Sequence, residues 1–315
     1  MPQLHSDRRE FLSALVGGMA GFSLSWPSFG QPAATPIQAT KLTEKLVLLS
    51  GDGGNIAVLI GDDGLFMVDG GYSDRSGELL KAISDLDSHP MRLLFNTHWH
   101  PDHIGANVAL GKAGVKIMAN ENVKKWLSRK VSLEAFNRTI DPLPAEGLPT
   151  VSFTDGGSLM FGKSVVQYTH VAPAHTDSDA FLFFPSHNTI HTGDLFFNGF
   201  YPVIDYSTGG WIGGMVAGAD AILKVGDAKT RIIPGHGPMA SRDDLKATRD
   251  MLETVHQRLE PLHRQGRSVD EAIAAAPTRD FDEKWGKGML TPAVFVRLAY
   301  TSLQRHDSAV LNQKG

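Results

Sequence analysis

Cysteine is absent from this 315-residue chain. Disulfides, thiolate metal ligands and cysteine nucleophiles are therefore excluded, and the absence is compatible with an oxidising compartment. A basic run is missing as well. Lys+Arg number 30 against 34 Asp+Glu, giving a formal net charge of -4 and a pI near 6.3. Without concentrated positive charge the chain lacks the electrostatic footprint of a nucleic-acid binder. No Gly-x-Ser-x-Gly elbow occurs, so the usual serine-hydrolase nucleophile is not offered. What remains is ample for a core: 42% of the residues are hydrophobic, enough for one large domain or two ordinary ones.

The first thirty residues read as an address rather than as fold. Ser6-Asp7-Arg8-Arg9-Glu10-Phe11-Leu12 resembles the twin-arginine export motif. The apolar run from Phe11 to Trp26 is broken by Gly17, Gly18 and Gly21 and stops at Pro27, which suits a signal h-region and is short for a membrane span. The expectation is an export signal and linker over residues 1–35, and a periplasmic or secreted protein with no stable membrane anchor once the signal is removed.

Strands are expected at Leu46–Leu49, Ile56–Ile60 and Leu65–Val68, separated by Gly- and Asp-rich turns. Apolar spacing at Leu79, Leu80, Ile83 and Leu86 predicts a helix over 76–86. Leu93–Phe95 reads as a buried strand and Ile104–Leu110 as a helix; a strand at Val115–Met118 and a helix over 121–131 follow. Pro142, Pro144, Gly147 and Pro149 predict an irregular loop over 138–150. The second half again reads as strands (158–161, 165–171, 180–184, 189–192), then a helix over 211–225 and a strand at 231–233. Beyond Gly237 only helices are expected. Ser241 caps one with the stripe Leu245, Leu252, Val255, Leu259 and Leu262, Ser268 and Glu271 form a capping box for a second, and Pro292 opens a third.

The chemistry concentrates at the turn between the expected strand 93–95 and helix 104–110. His98-Trp99-His100-Pro101-Asp102-His103 places three imidazoles and a carboxylate within six residues, at a point where side chains can converge. Further on come His175 in Pro-Ala-His-Thr-Asp, Asp194 in Thr-Gly-Asp-Leu-Phe and His236 in Pro-Gly-His-Gly-Pro. Upstream stands Val68-Asp69-Gly70-Gly71. This His-x-His-x-Asp-His set, in this order, resembles the metallo-β-lactamase superfamily, over about residues 42 to 250.

The resemblance implies a four-layer αββα sandwich over 42–250, here with a C-terminal helical extension over 251–315. It implies two zinc ions, with Mn2+ or Fe2+ also compatible with the donors. His98, His100 and His175 would hold the first ion, and Asp102, His103 and His236 the second. Asp194 would bridge both, and Asp69 would brace the metal loop from beneath. A shared hydroxide would attack a carbonyl carbon, with Asp102 as the catalytic carboxylate that orients it and passes a proton on. Phe197, Phe200, Tyr201 and Trp211, which follow Asp194, are expected to wall an apolar substrate pocket.

The resulting expectation is a glyoxalase II-like dinuclear zinc hydrolase acting on a small ester, lactone, thioester or amide. One alternative is class B β-lactamase activity as the main role. Against it, the β-lactamases of the family usually carry cysteine or serine at the place of Asp194, and many carry lysine at that of Phe197; quorum-signal lactonases carry tyrosine there. The other alternative is a mononuclear iron oxygenase of the persulfide dioxygenase type, whose Arg-Gly-x-Gly-Arg-Thr-Asp-Phe-like stretch has no match after Asp194.

Overall fold

The structure, a computed structural model, describes residues 35–171 and 173–313. The expected export signal, with Arg8 and Arg9, lies outside the described residues. Among these residues no helix is long and apolar enough to cross a membrane.

Strands β2 (Leu46–Ser50), β3 (Ile56–Ile60) and β4 (Leu65–Val68) are apolar on both faces because both faces are covered. Leu46, Leu48, Ala57, Leu59, Phe66 and Val68 turn inward to a second sheet. Val47, Leu49, Val58, Leu65 and Met67 turn outward to helices Ser76–Leu86 and Asn107–Lys112. This alternation is the strand period of two. Emptying one such position is costly: Phe66→Ala removes a fully buried ring, a change worth roughly 3–5 kcal/mol.

The first sheet has seven strands in the order β1-β2-β3-β4-β5-β6-β9, with β1 (Gln38–Lys41), β5 (Met91–Asn96), β6 (Lys116–Asn120) and β9 (Val151–Phe153) completing it. It is antiparallel from β1 to β4 and parallel from β4 to β9. The second sheet has the order β10-β11-β12-β13-β14, comprising Gly156–Phe161, Ser164–His170, Ala180–Phe184, Thr189–His191 and Arg231–Ile233. Only its last pair, β13 with β14, is parallel. Helices Ile212–Leu223, Arg242–Arg264 and Pro292–Gln313 cover its outer face, where Phe181, Ile190 and Ile232 pack with Met215, Leu252, Val255, Phe295 and Leu303. The architecture is the expected αββα sandwich with a C-terminal helical extension. Both serine caps form as capping boxes, Ser241 with Asp244 and Ser268 with Glu271.

Several elements depart from expectation. The boundary placed at residue 250 falls inside the helix Arg242–Arg264, whose buried face is continuous with the sandwich core. The helix expected over 121–131 stops at Leu127. Strand β7 (Val131–Leu133) instead pairs with β8 (Arg138–Ile140) in a hairpin turned at Asn137 with φ 46°, and β8 lies where an irregular loop had been expected. Strands β1 and β9 run along the two edges of the first sheet and are largely exposed, so neither carries an apolar signature.

Candidate metal centre

The seven candidate ligands and Asp69 lie on one edge of the sandwich. Asp69 follows β4, His98 to His103 follow β5, Asp194 follows β13 and His236 follows β14. These are the carboxyl ends of parallel strands, where adjoining loops diverge and leave a crevice. His175 comes from the loop between β11 and β12.

Asp69 adopts φ 64°, a left-handed conformation that Asp tolerates better than most residues. That turn aims its carboxylate beneath the metal loop. It accepts from Thr97 N–H at 2.8 Å, Thr97 Oγ1–H at 2.7 Å and His103 Nδ1–H at 2.8 Å. Asn55 anchors the opposite loop, donating from its amide to Pro234 O and Gly237 O, each at 2.9 Å. Its own carbonyl accepts from His191 Nε2–H at 3.0 Å, so His191 is a satisfied structural histidine. Two glycines permit the close approaches. A Cβ on Gly54 would fall 2.2 Å from His103 Cε1, and one on Gly235 would fall 2.0 Å from Asp194 Oδ1.

His98, His100, His175 and Asp194 form one potential metal-binding group, and Asp102, His103 and His236 a second; within each, the ligand atoms lie within 4.8 Å of one another. Asp194 faces both. Its Oδ2 lies 3.3 Å from His175 Nε2 and 3.7 Å from His98 Nε2, while Oδ1 lies 3.1 Å from His103 Nε2 and 3.4 Å from His236 Nε2. Asp102 Oδ2 lies 3.1 Å from His236 Nε2.

Tautomers follow from the outer partners. A carboxylate or carbonyl can only accept, so the imidazole nitrogen facing it carries the proton. His100 Nε2–H donates to Asp205 Oδ2 at 3.1 Å, and His175 Nδ1–H donates to Val203 O at 2.8 Å. Thr97 Oγ1 spends its hydrogen on Asp69 and so accepts from His98 Nδ1–H at 3.1 Å. Bare lone pairs remain on His98 Nε2, His100 Nδ1 and His175 Nε2, all aimed inward. The last two face each other at 2.9 Å, and His98 Nε2 is buried without a hydrogen bond. Buried, converging lone pairs of this kind call for a cation. Imidazole nitrogen and carboxylate oxygen without sulfur suit a borderline divalent ion, so the residues present fit a metal.

The two groups titrate in opposite directions. Burial pushes His98 well below its ordinary value, His103 adds to the effect and Asp194 offsets only part of it. Burial likewise takes His175 down to about 4 against the pull of Asp194. In the second group burial also opposes protonation, but Asp194, Asp102 and Asp69 hold His103 well above the ordinary range. Asp194 and Asp102 raise His236 to about 9 against the same burial. Burial favours protonated forms of Asp102 and Asp194 too, yet the surrounding imidazoles hold both carboxyls below their usual range.

Of the expected substrate wall, Phe197 and Phe200 stay near the site. Phe197 is 1% exposed, stacks on His236 with ring centroids 5.1 Å apart and pairs its backbone with His236. It is thus a floor beneath a candidate ligand. Phe200 is half-buried and meets the Phe197 ring edge-on at 5.9 Å. Tyr201 and Trp211 are engaged elsewhere, which corrects that expectation. Tyr201 is fully buried, stacks on Phe295 and donates to Asp282 Oδ1 at 2.8 Å. Trp211 lies flat on His306 of the C-terminal helix, with centroids 3.6 Å apart. Both rings fill the seam between the sandwich and its helical layer. Sequence reasoning missed Asp205 and Asp179. Asp179 holds the His175 loop by accepting from His175 N–H at 2.7 Å and Thr176 Oγ1–H at 2.6 Å. It stands in a His-x-x-x-Asp spacing that could have flagged it; Asp205 has no such signal.

The model of the family described as "Metallo-beta-lactamase superfamily" matches residues 49–253. A linear primary-alkylsulfatase from a Pseudomonas species is 24% identical over 251 residues, which cover 67% of this chain and 47% of that protein. The chain thus spans about half the length of the curated relative it matches. Among solved structures, a metallo-beta-lactamase from Pontibacter korlensis aligns with a TM-score of 0.56 at 18% identity, over 69% of this chain and 99% of that one. The stereoselective inverting sec-alkylsulfatase Pisa1 from Pseudomonas sp. aligns with a TM-score of 0.64 at 17% identity, over 87% of this chain and 52% of that one. At these identities the two structures speak for the fold alone.

Proposed function

Because the chain belongs to the metallo-beta-lactamase superfamily of hydrolases, we propose that it hydrolyses a small ester-type substrate with two zinc ions. The observation that carries this reading is the division of the Asp194 carboxylate, with one oxygen toward His98 and His175 and the other toward His103 and His236. His98, His100 and His175 would hold one ion, Asp102, His103 and His236 the other, and Asp194 would reach both. Bound there, divalent ions supply Lewis acidity and lower the pKa of water toward neutrality.

The protein's own residues do the remainder. Asp69, Thr97, Asp205 and Val203 set ring orientation and tautomer. Asp102, whose Oδ2 lies 3.1 Å from His236 Nε2, would orient an attacking water and take up its proton. Phe200, half-buried against Phe197, gives the site an apolar flank, which suits the non-polar part of a carboxylic ester, lactone or thioester. β-Lactam turnover is a side activity in this reading.

A second reading, sulfate-ester hydrolysis, is favoured by one observation. The linear primary-alkylsulfatase is 24% identical to this chain over a stretch that covers 67% of it. The test is a panel on the metal-loaded protein comprising carboxylic esters, lactones, thioesters, β-lactams and alkyl sulfates. Preferential cleavage of alkyl sulfates would establish the second reading, and bound iron at one per chain with no hydrolysis would overturn both in favour of an oxygenase. Export is proposed from the sequence motif; Arg8→Lys with Arg9→Lys should retain the protein in the cytoplasm, and periplasmic arrival of that variant would refute it.

A further inference from the structure

The segment from Val203 to Thr208 supplies none of the seven candidate ligands, yet it backs two histidines of the first group, His175 through Val203 O and His100 through Asp205 Oδ2. Its backbone is tied to the His175 loop: Asp205 N–H donates to His175 O at 2.9 Å, and Asp177 N–H donates to Thr208 O at 2.8 Å. Asp205 is held firmly in turn. Its Oδ1 accepts from Ser207 N–H at 2.9 Å and its Oδ2 from Thr208 Oγ1–H at 2.5 Å. Thr208 Oγ1 accepts from Trp99 Nε1–H at 3.2 Å, and Trp99 is the buried neighbour of His100 in the chain. His100, Asp205, Thr208 and Trp99 therefore close a ring.

Asp205 is 1% exposed, and among the described residues its one ion-pair partner is His100; no lysine or arginine is paired with it. A buried carboxylate is expensive unless a cation compensates it. His100 is neutral when its Nδ1 lone pair faces inward, so the compensating charge must lie on the far side of the ring. Capping alone does not explain an aspartate here. The Oδ1 bond to Ser207 caps the turn Tyr206–Thr208, and an asparagine would make it equally well.

We infer that Asp205 is a positioning residue for the first metal, fixing His100 with Nδ1 toward the ion and strengthening it as a donor. This rests on the metal-hydrolase reading above. Asp205→Asn is the discriminating variant, because it keeps the cap and removes the acceptor facing His100. The full chain is stripped of metal and titrated with Zn2+ against a chromophoric chelator; Co2+ is then added and the visible spectrum recorded.

One of the two equivalents should weaken about 10–100-fold, the other should hold, and the Co2+ bands should shift. Unchanged affinity and an unchanged spectrum would overturn the inference. Should Asp205→Asn fail to fold, Thr208→Val serves instead. It removes the bridging hydroxyl at constant shape and should shift the Co2+ bands in the same direction, and an unshifted spectrum there is equally decisive. The two readings fail separately: a wild-type protein that binds no metal sinks the hydrolase reading, whereas normal wild-type binding matched by Asp205→Asn sinks the positioning role alone.

Discussion

In the group of His98, His100 and His175 every imidazole has an acceptor behind it and burial keeps His98 and His175 unprotonated. In the group of Asp102, His103 and His236 only His103 is backed by a carboxylate, Asp69, while His236 leans on the Phe197 ring. The second group also carries protons that its carboxylates stabilise. The difference teaches that two clusters of similar composition are prepared in different ways. The first is a pre-oriented set of lone pairs. The second is an ion-paired cluster from which a metal must displace protons.

Removing the shared member should have the largest effect. Asp194→Ala takes an anion from both groups, so metal content should fall at both and turnover should drop by more than about 100-fold, beyond the range of outer-partner changes. Retained metal at either group would break the idea of a common carboxylate. Next, His98→Ala and His236→Ala should each reduce a content of about two ions toward one and abolish turnover, but from different groups. Asp102→Ala should depress rate more than metal content, since its proposed role includes the proton; parallel losses would make it a ligand only.

The titration contrast has its own readout. At neutral pH, metal binding should release roughly two protons, from His103 and His236, and essentially none from His98 and His175. In the metal-free protein His236 holds its proton up to about 9, above the ordinary 6.5. Its ion pairs thus add stability below about 6.5 that is lost as pH rises through about 9. The metal-free Tm should decline across that window while metal affinity rises. A flat profile for both would remove the asymmetry. The smallest effect is expected from Phe197→Leu, which keeps apolar volume but loses the stack on His236. A ring stack is worth about 0.5–1.5 kcal/mol, so affinity at the second group should fall only several-fold. Phe197→Lys should not create a substrate anchor, because the amine would meet His236 instead of a substrate.

The convergence of the seven side chains was legible because imidazoles and carboxylates recur beside Gly and Pro at strand ends, and the sandwich was legible because β2 to β4 are apolar runs bounded by turns. The hairpin Val131–Ile140 was not, since Arg138-Thr139-Ile140 sits next to two prolines and is mostly exposed. Asp205 was hidden for a different reason. It lies 105 positions from His100 and reads locally as an ordinary turn aspartate, so only the fold brings the two together. Tyr201 and Trp211 were misread because an aromatic ring after a metal ligand looks the same in sequence whether it lines a mouth or fills a seam.

The division of the ligands between the two sheets also has a temporal side. Along the chain, the last ligand of the first group is Asp194, and Val203 and Asp205, which hold His175 and His100, follow it; the second group lacks a member until His236, beyond β14. The first group therefore has all its parts in the chain before the second has its last ligand, and an ion held there would join His98 and His100 of the first half to His175 of the second.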